Sequence, residues 1–585
     1  MLRFKALACD YDGTLASKDH IDAEVLASLE QARQAGLRLI LVTGRTFFEL
    51  IRVCERLDLF DAVVAENGGV LYFPAEGTIR DLAPAPPPEL LVELDRHGIA
   101  FHAGRIIVGT ARAMEKRVRA VLAAVGASAV FSYNRDALML LPMGISKGSG
   151  VRQVIRRFGL SFHDVLALGD AENDLDLFEA CGWAGCPGNA VPEVKERADW
   201  VFEGANGKAI ARAIVGPILT GRLPAPQSPR HRIPLGWTVK TSEPVTMAAR
   251  GLNLVIQGDP LSGKSWLAGG LVERLLSRHY ALCVFDPEGD FHVLARLTGV
   301  TWIELRDDAS LEHALGRFAM NPAACVVIDF SLLPHAKKVE LVGRGLGLIR
   351  QIRRRLAVPH WVFLDEAHYL LHRGGVRDED IGIDERGFCL ITYRPGWLRE
   401  SIRMAIDVVV AARTTFEEEL AFFRSFLVES FGEDPGVASV LRDLPPGEFV
   451  LVQGEPTGEP RPLTFTPIPR ETPHVRHRRK YADILLPPQQ RFCFRRPDGS
   501  IVAVAGSLHE FLEVLAAAED RVLAHHARGN DFSRWITGVY NDQDVGRQIQ
   551  KFERRWVQGE IRDLREPMAH LLAYQYGSGP TLQKL

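Results

Sequence analysis

The sequence predicts an α/β protein: two successive blocks, each built on a parallel sheet flanked by helices, then a small, mostly helical domain. Three observations carry this. Short apolar runs alternate with stretches of helical periodicity in both blocks. Proline-rich breaks fall between these runs. Polar, glycine-containing motifs follow directly on several runs, where ligands gather in an open α/β sheet.

In the first block, Leu37-Arg38-Leu39-Ile40-Leu41-Val42 and Val165-Leu166-Ala167-Leu168 read as buried strands, and Asp22 to Ala35 and Gly148 to Phe158 as helices. Pro84-Ala85-Pro86-Pro87-Pro88 marks entry to an inserted α+β subdomain ending near Pro142. The core is thus expected over 1–83 and 144–220, with the insert over 84–143. Leu223-Pro224-Ala225-Pro226-Gln227-Ser228-Pro229-Arg230 is polar and proline-rich, a semi-rigid linker over 221–231. The second block, 232–468, has strands at Leu252-Asn253-Leu254-Val255-Ile256, Ala281-Leu282-Cys283-Val284-Phe285, Cys325-Val326-Val327-Ile328 and Trp361-Val362-Phe363-Leu364. A basic linker follows over 469–484, containing Arg476, His477, Arg478, Arg479 and Lys480. In the last domain, 485–585, Ser507-Leu508-His509-Glu510 has capping-box spacing, so a helix starts there.

At 585 residues the chain is too long for one core, and about three or four domains are expected. A composition of 46% hydrophobic and 24% charged residues excludes disordered, collagenous and coiled-coil classes. A net charge of -3 excludes a globally basic nucleic-acid binder while leaving room for a local basic groove. The cysteines are scattered without metal-ligand spacing and read as reduced, mostly buried thiols. No run approaches the roughly 18 apolar residues of a membrane span, so a cytoplasmic protein without a membrane partner is expected.

The first block ends its opening apolar strand in Cys9-Asp10-Tyr11-Asp12-Gly13-Thr14-Leu15. A glycine turn there can aim one carboxylate and one backbone carbonyl at a Mg²⁺ ion and leave the second aspartate for proton transfer. Thr43 and Gly44, in Leu41-Val42-Thr43-Gly44-Arg45, suit a phosphate oxygen. Lys147 precedes a helix and can neutralise phosphate charge. Gly169-Asp170-Ala171-Glu172-Asn173-Asp174 closes another strand with acids spaced for a metal. In this order the motifs resemble the haloacid dehalogenase (HAD) superfamily, specifically its Cof-like phosphatases with a small inserted cap, over about residues 1 to 215. Ala65-Glu66-Asn67-Gly68-Gly69 and Gly188-Asn189-Ala190 also look like stretches of that family. The resemblance implies a HAD-type Rossmannoid fold. It makes Asp10 the nucleophile that forms an aspartyl-phosphate and Asp12 the general acid and base. Thr43 and Lys147 would bind the phosphoryl group, and Asp10, Asp12, Asp170 and Asp174 would form or support a Mg²⁺ site. Small-capped relatives act on phosphoglycolate and sugar phosphates, so a small phosphorylated metabolite is the expected substrate.

The second block carries Gly258-Asp259-Pro260-Leu261-Ser262-Gly263-Lys264-Ser265 between a strand and a helix, a phosphate-binding loop of ATPases. Its N–H groups, from Gly258 to Gly263, would cradle phosphates, Lys264 would reach the outer phosphate oxygens and Ser265 would hold Mg²⁺. Asp365 and Glu366 end another strand; Asp365 would hold the metal and Glu366 polarise water. With Asp286-Pro287-Glu288-Gly289-Asp290, Thr392-Tyr393-Arg394-Pro395 and Pro445-Pro446-Gly447-Glu448, the block resembles HerA/FtsK-type P-loop ATPases. That resemblance implies ATP, a homo-oligomer (a hexamer if HerA-like) and nucleic acid as partners, with Arg394 and Arg413 as sensors of the terminal phosphate. Tyr393 stands where relatives often carry Gln, and the segment before the loop is too short for a full-length HerA barrel; both count against processive translocation. Arg353-Arg354-Arg355 and the Arg476 to Lys480 run could line a nucleic-acid channel or form solvated faces. The expected function is a bifunctional hydrolase, a phosphomonoesterase joined to an ATPase. The alternatives are a kinase–phosphatase acting on nucleic-acid ends or a metabolite, and an ATP-gated assembly switch or translocase carrying a phosphatase. The His525-His526 pair near Asp531 points to packing or capping rather than ligation, since neighbours on a helix diverge by about 100°.

Overall fold

Apolar strands that end in a polar residue or loop build the first sheet. In the computed structural model, which describes residues 4–17, 19–223, 228–372, 374–431, 437–453, 462–473, 486, 488–540 and 542–576, two compact units are present. One is Met1–His231 with Phe318–Pro322 and Gln351–Val358; the other is Arg232–Arg317 with Ala323–Arg350 and Pro359–Leu585. The Arg476 to Lys480 run lies outside the described residues.

The first unit begins with β1 (Ala6–Asp10), the short pair β2 (Ala16–Ser17) and β3 (His20–Ile21), and α1 (Ala23–Gln34). It continues through β4 (Arg38–Val42), α2 (Phe47–Val53), β5 (Ala62–Ala65), β6 (Val70–Phe73) and β7 (Thr78–Asp81). The insert holds α3 (Pro88–Arg96), β8 (Phe101–Ala103), β9 (Val108–Ala111), α4 (Glu115–Val125), β10 (Val130–Asn134) and β11 (Ala137–Leu141). The core resumes with α5 (Lys147–Arg157), β12 (Val165–Leu168), α6 (Leu175–Ala180), β13 (Trp183–Pro187), α7 (Pro192–Arg197), β14 (Trp200–Phe202) and α8 (Asn206–Ala213).

The main sheet runs β14-β13-β12-β1-β4-β5-β6-β7. Both its faces are buried: Leu7, Cys9, Leu39 and Leu41 pack on one side, Ala6, Ala8, Ile40 and Val42 on the other. That is why these strands read as continuous apolar runs rather than alternating ones. Pairing is parallel from β14 to β5, but β6 and β7 return antiparallel, so the sheet is mixed at one edge. The link Glu66–Gly68 between β5 and β6 is far too short for a parallel crossover, which needs about a dozen residues. The insert forms its own antiparallel sheet, β10-β11-β9-β8, over a small core that includes Leu90, Leu94, Val118 and Leu138.

The second unit's sheet uses β15 (Arg232–Thr238), β16 (Pro244–Ala248), β17 (Leu254–Gln257), β18 (Leu282–Asp286), β19 (Val300–Glu304), β20 (Cys325–Asp329) and β21 (Trp361–Leu364). β22 (Phe388–Thr392), β23 (Val408–Ala411), β24 (Phe449–Gln453) and β25 (Leu463–Pro467) complete it, in the order β16-β15-β25-β24-β23-β17-β22-β21-β18-β20-β19. The expected all-parallel sheet is corrected here. Pairing is parallel from β23 to β19 and antiparallel from β23 through β24, β25 and β15 to β16. The β15–β16 connection is a short turn, which permits only antiparallel pairing.

The last domain has the hairpin β26 (Phe492–Arg495) and β27 (Ile501–Ala505), with helices Leu508–Ala517, Asp520–Gly529, Asp531–Val539, Gln543–Val557 and Arg565–Tyr576. Ser507 caps the first of these, accepting from the Glu510 N–H. His526 is buried with both ring nitrogens engaged: Nδ1 meets Asp531 at 2.8 Å and Nε2 accepts from Arg495 N at 2.8 Å. It is a core residue. Arg353 is also buried, while Arg354 and Arg355 are exposed, so the triple arginine does not present one continuous basic face. Among the described residues no helix is long and apolar enough to cross a membrane.

Glu553 lies fully buried and accepts from Phe532 N (3.0 Å) and Ser533 N (3.3 Å) at the start of a helix. Burial pushes its carboxyl from 4.5 up to about 7, against the pull of the Ser533 and Phe532 hydrogen bonds. A raised carboxyl contributes stability that is fully present below its unfolded value and lost as pH rises through the folded one. Hydrogen exchange of the tail helices in the full chain should therefore show opening becoming easier as pH rises from about 4.5 through about 7. Glu553→Gln should flatten that dependence, and an unchanged pH profile in the variant would refute the assignment.

Candidate active site and a second glycine-rich loop

β1 and β12 pair side by side and parallel, so the loops that follow them open at one edge of the sheet. Asp10 is the last residue of β1 and is buried there. Asp170 and Asp174 follow β12, and carboxylate oxygens of all three lie within 4.8 Å of one another. Lys147, the first residue of α5, brings in an ammonium that donates to Asp10 Oδ1 at 2.6 Å and Asp174 Oδ1 at 2.7 Å. The other oxygen of Asp174 accepts from Asp170 N (3.0 Å) and Ala171 N (3.1 Å), which folds the loop around it. Gly13, at φ +77°, passes so close to Asp170 that a Cβ would stand 2.4 Å from its carboxylate, so glycine is required there.

Burial and neighbouring carboxylates raise the proton affinity of Asp170 and Asp10. Burial first, then the Asp174 charge, pushes Asp170 up to about 6, with Arg135, Thr14 and Lys147 opposing. Asp10 is driven well above its ordinary value by burial and Asp174, with Lys147 pulling the other way. Burial pulls the Lys147 ammonium down, but Asp10 and Asp174 outweigh it and hold its pKa above the ordinary value. A compact all-oxygen donor set with excess negative charge fits a hard divalent cation such as Mg²⁺.

Thr43 is buried after β4, its hydroxyl accepting from Arg45 N at 3.1 Å. Asp12 does not share a carboxylate with the cluster. Both its oxygens are held by Arg45, at 2.7 and 2.6 Å, so Asp12 adds no side-chain ligand to the cluster. Arg45 also pairs with Asp19. Asn189 donates to Gly13 O at 3.3 Å and accepts from Asn206 N at 2.8 Å, tying a later loop to the Asp10 turn.

Residues 7–103 and 100–214 match the family model for haloacid dehalogenase-like hydrolases. The phosphoglycolate phosphatase of Methanothermobacter thermautotrophicus is 31% identical over 221 residues, which is 36% of this chain and 97% of that protein. The chain belongs to the haloacid dehalogenase-like hydrolases. Phosphoglycolate phosphatases of Aeropyrum pernix (30% identical, 38% of this chain, 96% of that protein) and Pyrobaculum neutrophilum (31%, 38% and 99%) align over the same unit.

Three residues of this hydrolase site were not singled out by motif reading. Arg45 stood inside the Thr43-Gly44-Arg45 stretch, and its pairing with Asp12 depends on β1 and β4 being neighbours. Arg135 reaches Asp170 from the inserted cap, with Nη2 to Oδ2 at 2.5 Å. Glu66, fully buried and at φ +53°, accepts four backbone N–H groups. Phe47 (3.2 Å) is in the core, and Arg105 (3.0 Å), Ile106 (2.8 Å) and Ile107 (3.3 Å) are in the cap. One carboxylate thereby fastens the cap segment, and the Glu-Asn-Gly-Gly stretch was the available signal.

In the second unit, Gly258 to Ser265 link β17 to α9 (Lys264–Ser277). Gly258 (φ +151°) admits no side chain, since a Cβ would stand 2.6 Å from Ser262 Oγ; Gly263 (φ +96°) starts the helix. Lys264 Nζ donates to Asp259 O at 2.8 Å and lies 5.9 Å from the Tyr393 ring centre. Asp259 is pinned by Thr415, through N at 3.0 Å and Oγ1 at 2.6 Å, while its own N–H donates to Arg413 O. Asp365 is fully buried at the end of β21, and Glu366 follows with φ +46°. His368 contacts Thr392 Oγ1 at 3.0 Å and packs on Tyr393; burial, then Lys264 and Arg394, pulls it down to about 3, so it is neutral. Arg394 faces Glu419 at 3.5 Å and lies over Phe416, whereas the Arg413 side chain is half-buried. β17, β22 and β21 are adjacent and parallel, so Gly258–Ser265, Thr392–Arg394 and Asp365–Glu366 share one edge.

Removing the Glu66 acceptor leaves buried cap amides unpaired, about 1–3 kcal/mol each. Glu66→Ala should speed hydrogen exchange at Arg105, Ile106 and Ile107 by about tenfold or more. Unchanged exchange at those amides would show that the cap segment does not depend on this carboxylate.

Proposed function

We propose that the chain is a bifunctional hydrolase, a phosphomonoesterase on a small phosphorylated metabolite of phosphoglycolate or sugar-phosphate type joined to a P-loop ATPase. The observation that carries the first half is the Lys147 ammonium placed between Asp10 and Asp174 inside a buried carboxylate cluster. A monoester phosphate brought to this edge meets Asp10 end-on, with Thr43 offering a hydroxyl to a phosphoryl oxygen. An Asp10 oxygen attacks phosphorus, the ester P–O bond breaks, and Asp12 gives its proton to the departing alkoxide. Asp12 then takes a proton from water, whose oxygen attacks phosphorus and releases inorganic phosphate from Asp10. Arg45, which holds both Asp12 oxygens in this structure, would release one of them so that Asp12 can carry the proton, and keep its grip on the other. Asp10, Asp170, Asp174 and the Asp12 carbonyl would hold Mg²⁺, which when bound offsets the repulsion between phosphate and carboxylate. The near full-length coverage of phosphoglycolate phosphatases at 30 and 31% identity supports this substrate class.

The second half is favoured by the shared edge of β17, β22 and β21. ATP would lie on the Gly258–Gly263 loop with Lys264 at its outer phosphates. Ser265 and Asp365 would hold Mg²⁺, and Glu366 would orient water. Arg394, tied to Glu419 within its own chain, would have to leave that pair to sense a terminal phosphate; Arg413 is freer to do so. Transfer of the terminal phosphate to an acceptor would instead favour a kinase–phosphatase. ATP-dependent assembly into a larger homo-oligomer with slow turnover would favour a switch, and stimulation by DNA or RNA a translocase.

Asp10→Asn should lower phosphate release from esters by at least about a thousandfold while leaving ATP hydrolysis intact. Lys264→Ala should do the reverse. Paired release assays on the full chain check both, and parallel loss of the two activities in either variant would contradict two independent sites.

A further inference from the structure

Arg135 occupies the turn of the cap hairpin β10–β11 at φ +52°, a left-handed conformation that disfavours a bulky side chain. The turn's backbone is fastened to the core loop that carries Asp170. Arg135 N donates to Glu172 Oε2 at 3.1 Å, and the Arg112 guanidinium donates to Arg135 O at 3.2 Å while facing Glu172 Oε1 at 3.7 Å. Arg112 in turn stacks over Tyr133 at 4.6 Å. With its main chain held in this way, Arg135 extends its guanidinium over the site to Asp170 Oδ2. Its side chain is 53% exposed against 1% for Asp170, so it spans from the buried cluster to the open mouth.

The other cations here are committed differently. Lys147 is buried between Asp10 and Asp174, Arg45 holds Asp12 and Asp19, and Arg112 faces Glu172. Arg135 shares a carboxylate that a divalent cation in the Asp10, Asp170 and Asp174 cluster would also claim. A filled cluster would weaken the guanidinium's hold on Asp170 and free a planar, two-pronged donor on the exposed side of the cluster. Such a fork matches a carboxylate. The residues lining the neighbouring cleft of about 380 Å³, among them Thr46, Glu49, His102 and Met139, include no lysine or arginine to neutralise a charged leaving group.

We propose that Arg135 anchors the substrate and selects phosphate monoesters whose alcohol carries a carboxylate one or two carbons from the ester oxygen. The short spacer follows from the geometry: Arg135 already touches Asp170, whose carboxylate lies within 4.8 Å of an Asp10 oxygen. The inference rests on the phosphomonoesterase function proposed above and narrows it to esters of small hydroxy acids.

The test compares 2-phosphoglycolate with 2-hydroxyethyl phosphate, in which a hydroxymethyl group replaces the carboxylate, on the full chain with Mg²⁺. Arg135→Ala should lower the ratio of kcat/KM between the first and second ester by about tenfold, mainly through KM, the size of one charge-assisted contact. Arg135→Lys should recover part of that ratio. Calorimetry without any ester provides a second readout: Arg135→Ala should bind Mg²⁺ more tightly, because a competing cation on Asp170 is gone. An unchanged ester ratio, or weaker Mg²⁺ binding in the variant, overturns the proposal. If the unaltered chain hydrolyses neither these esters nor any other in a wider panel, the phosphatase function itself fails. Hydrolysis of other esters with indifference to the carboxylate overturns only the role of Arg135.

Discussion

Lys147 carries an ammonium into a buried place that holds Asp10 and Asp174 and adjoins Asp170. Burying that charge alone would cost several kcal/mol, and the two carboxylates at 2.6 and 2.7 Å offset it. The balance remains negative, three carboxylates against one buried ammonium, an excess that suits a divalent cation. The arrangement depends on register. Asp10 ends β1, Asp170 and Asp174 follow its parallel neighbour β12, and Lys147 opens α5. A slip of one residue in β1 would turn Asp10 to the opposite face of the sheet.

The cap is joined to this centre by charged groups at two places. Glu66 takes the amides of Arg105, Ile106 and Ile107, and Glu172 takes the turn at Arg135. Both acids sit in loops at the ends of core strands, so the loops that form the floor of the site also fix its roof. In the second unit the same principle places polar loops beyond the ends of parallel strands, although four of its ten strand pairings are antiparallel. There Lys264 is held by a backbone carbonyl and Arg394 by a carboxylate.

What could be read from the chain were the features written locally. Asp10, Asp170 and Lys147 each adjoin an apolar run or a helix start, and parallel pairing gathers such ends without further information. The glycine-rich loop was legible for the same reason. Arg45 was visible as a letter but not as a partner of Asp12, because the pairing needs the β1–β4 neighbourhood. Arg135 lies 35 residues from Asp170 in an inserted subdomain, and no periodicity connects them. Antiparallel edges were missed because an apolar run does not report the direction of its neighbour; short links, such as those after β5, β6 and β15, do. The buried Arg353 and the doubly bonded His526 show that polar letters on a helix acquire meaning only from what packs against them.

The central claim is that the Asp10 carboxylate receives the phosphoryl group. Quenching the full chain with borohydride during turnover of a hydrolysed ester reduces an acyl phosphate to an alcohol, which peptide mass spectrometry can locate. Homoserine at position 10 that appears only with substrate is the predicted result. Continued turnover with aspartate intact at position 10, or reduction at Asp12 instead, would contradict it.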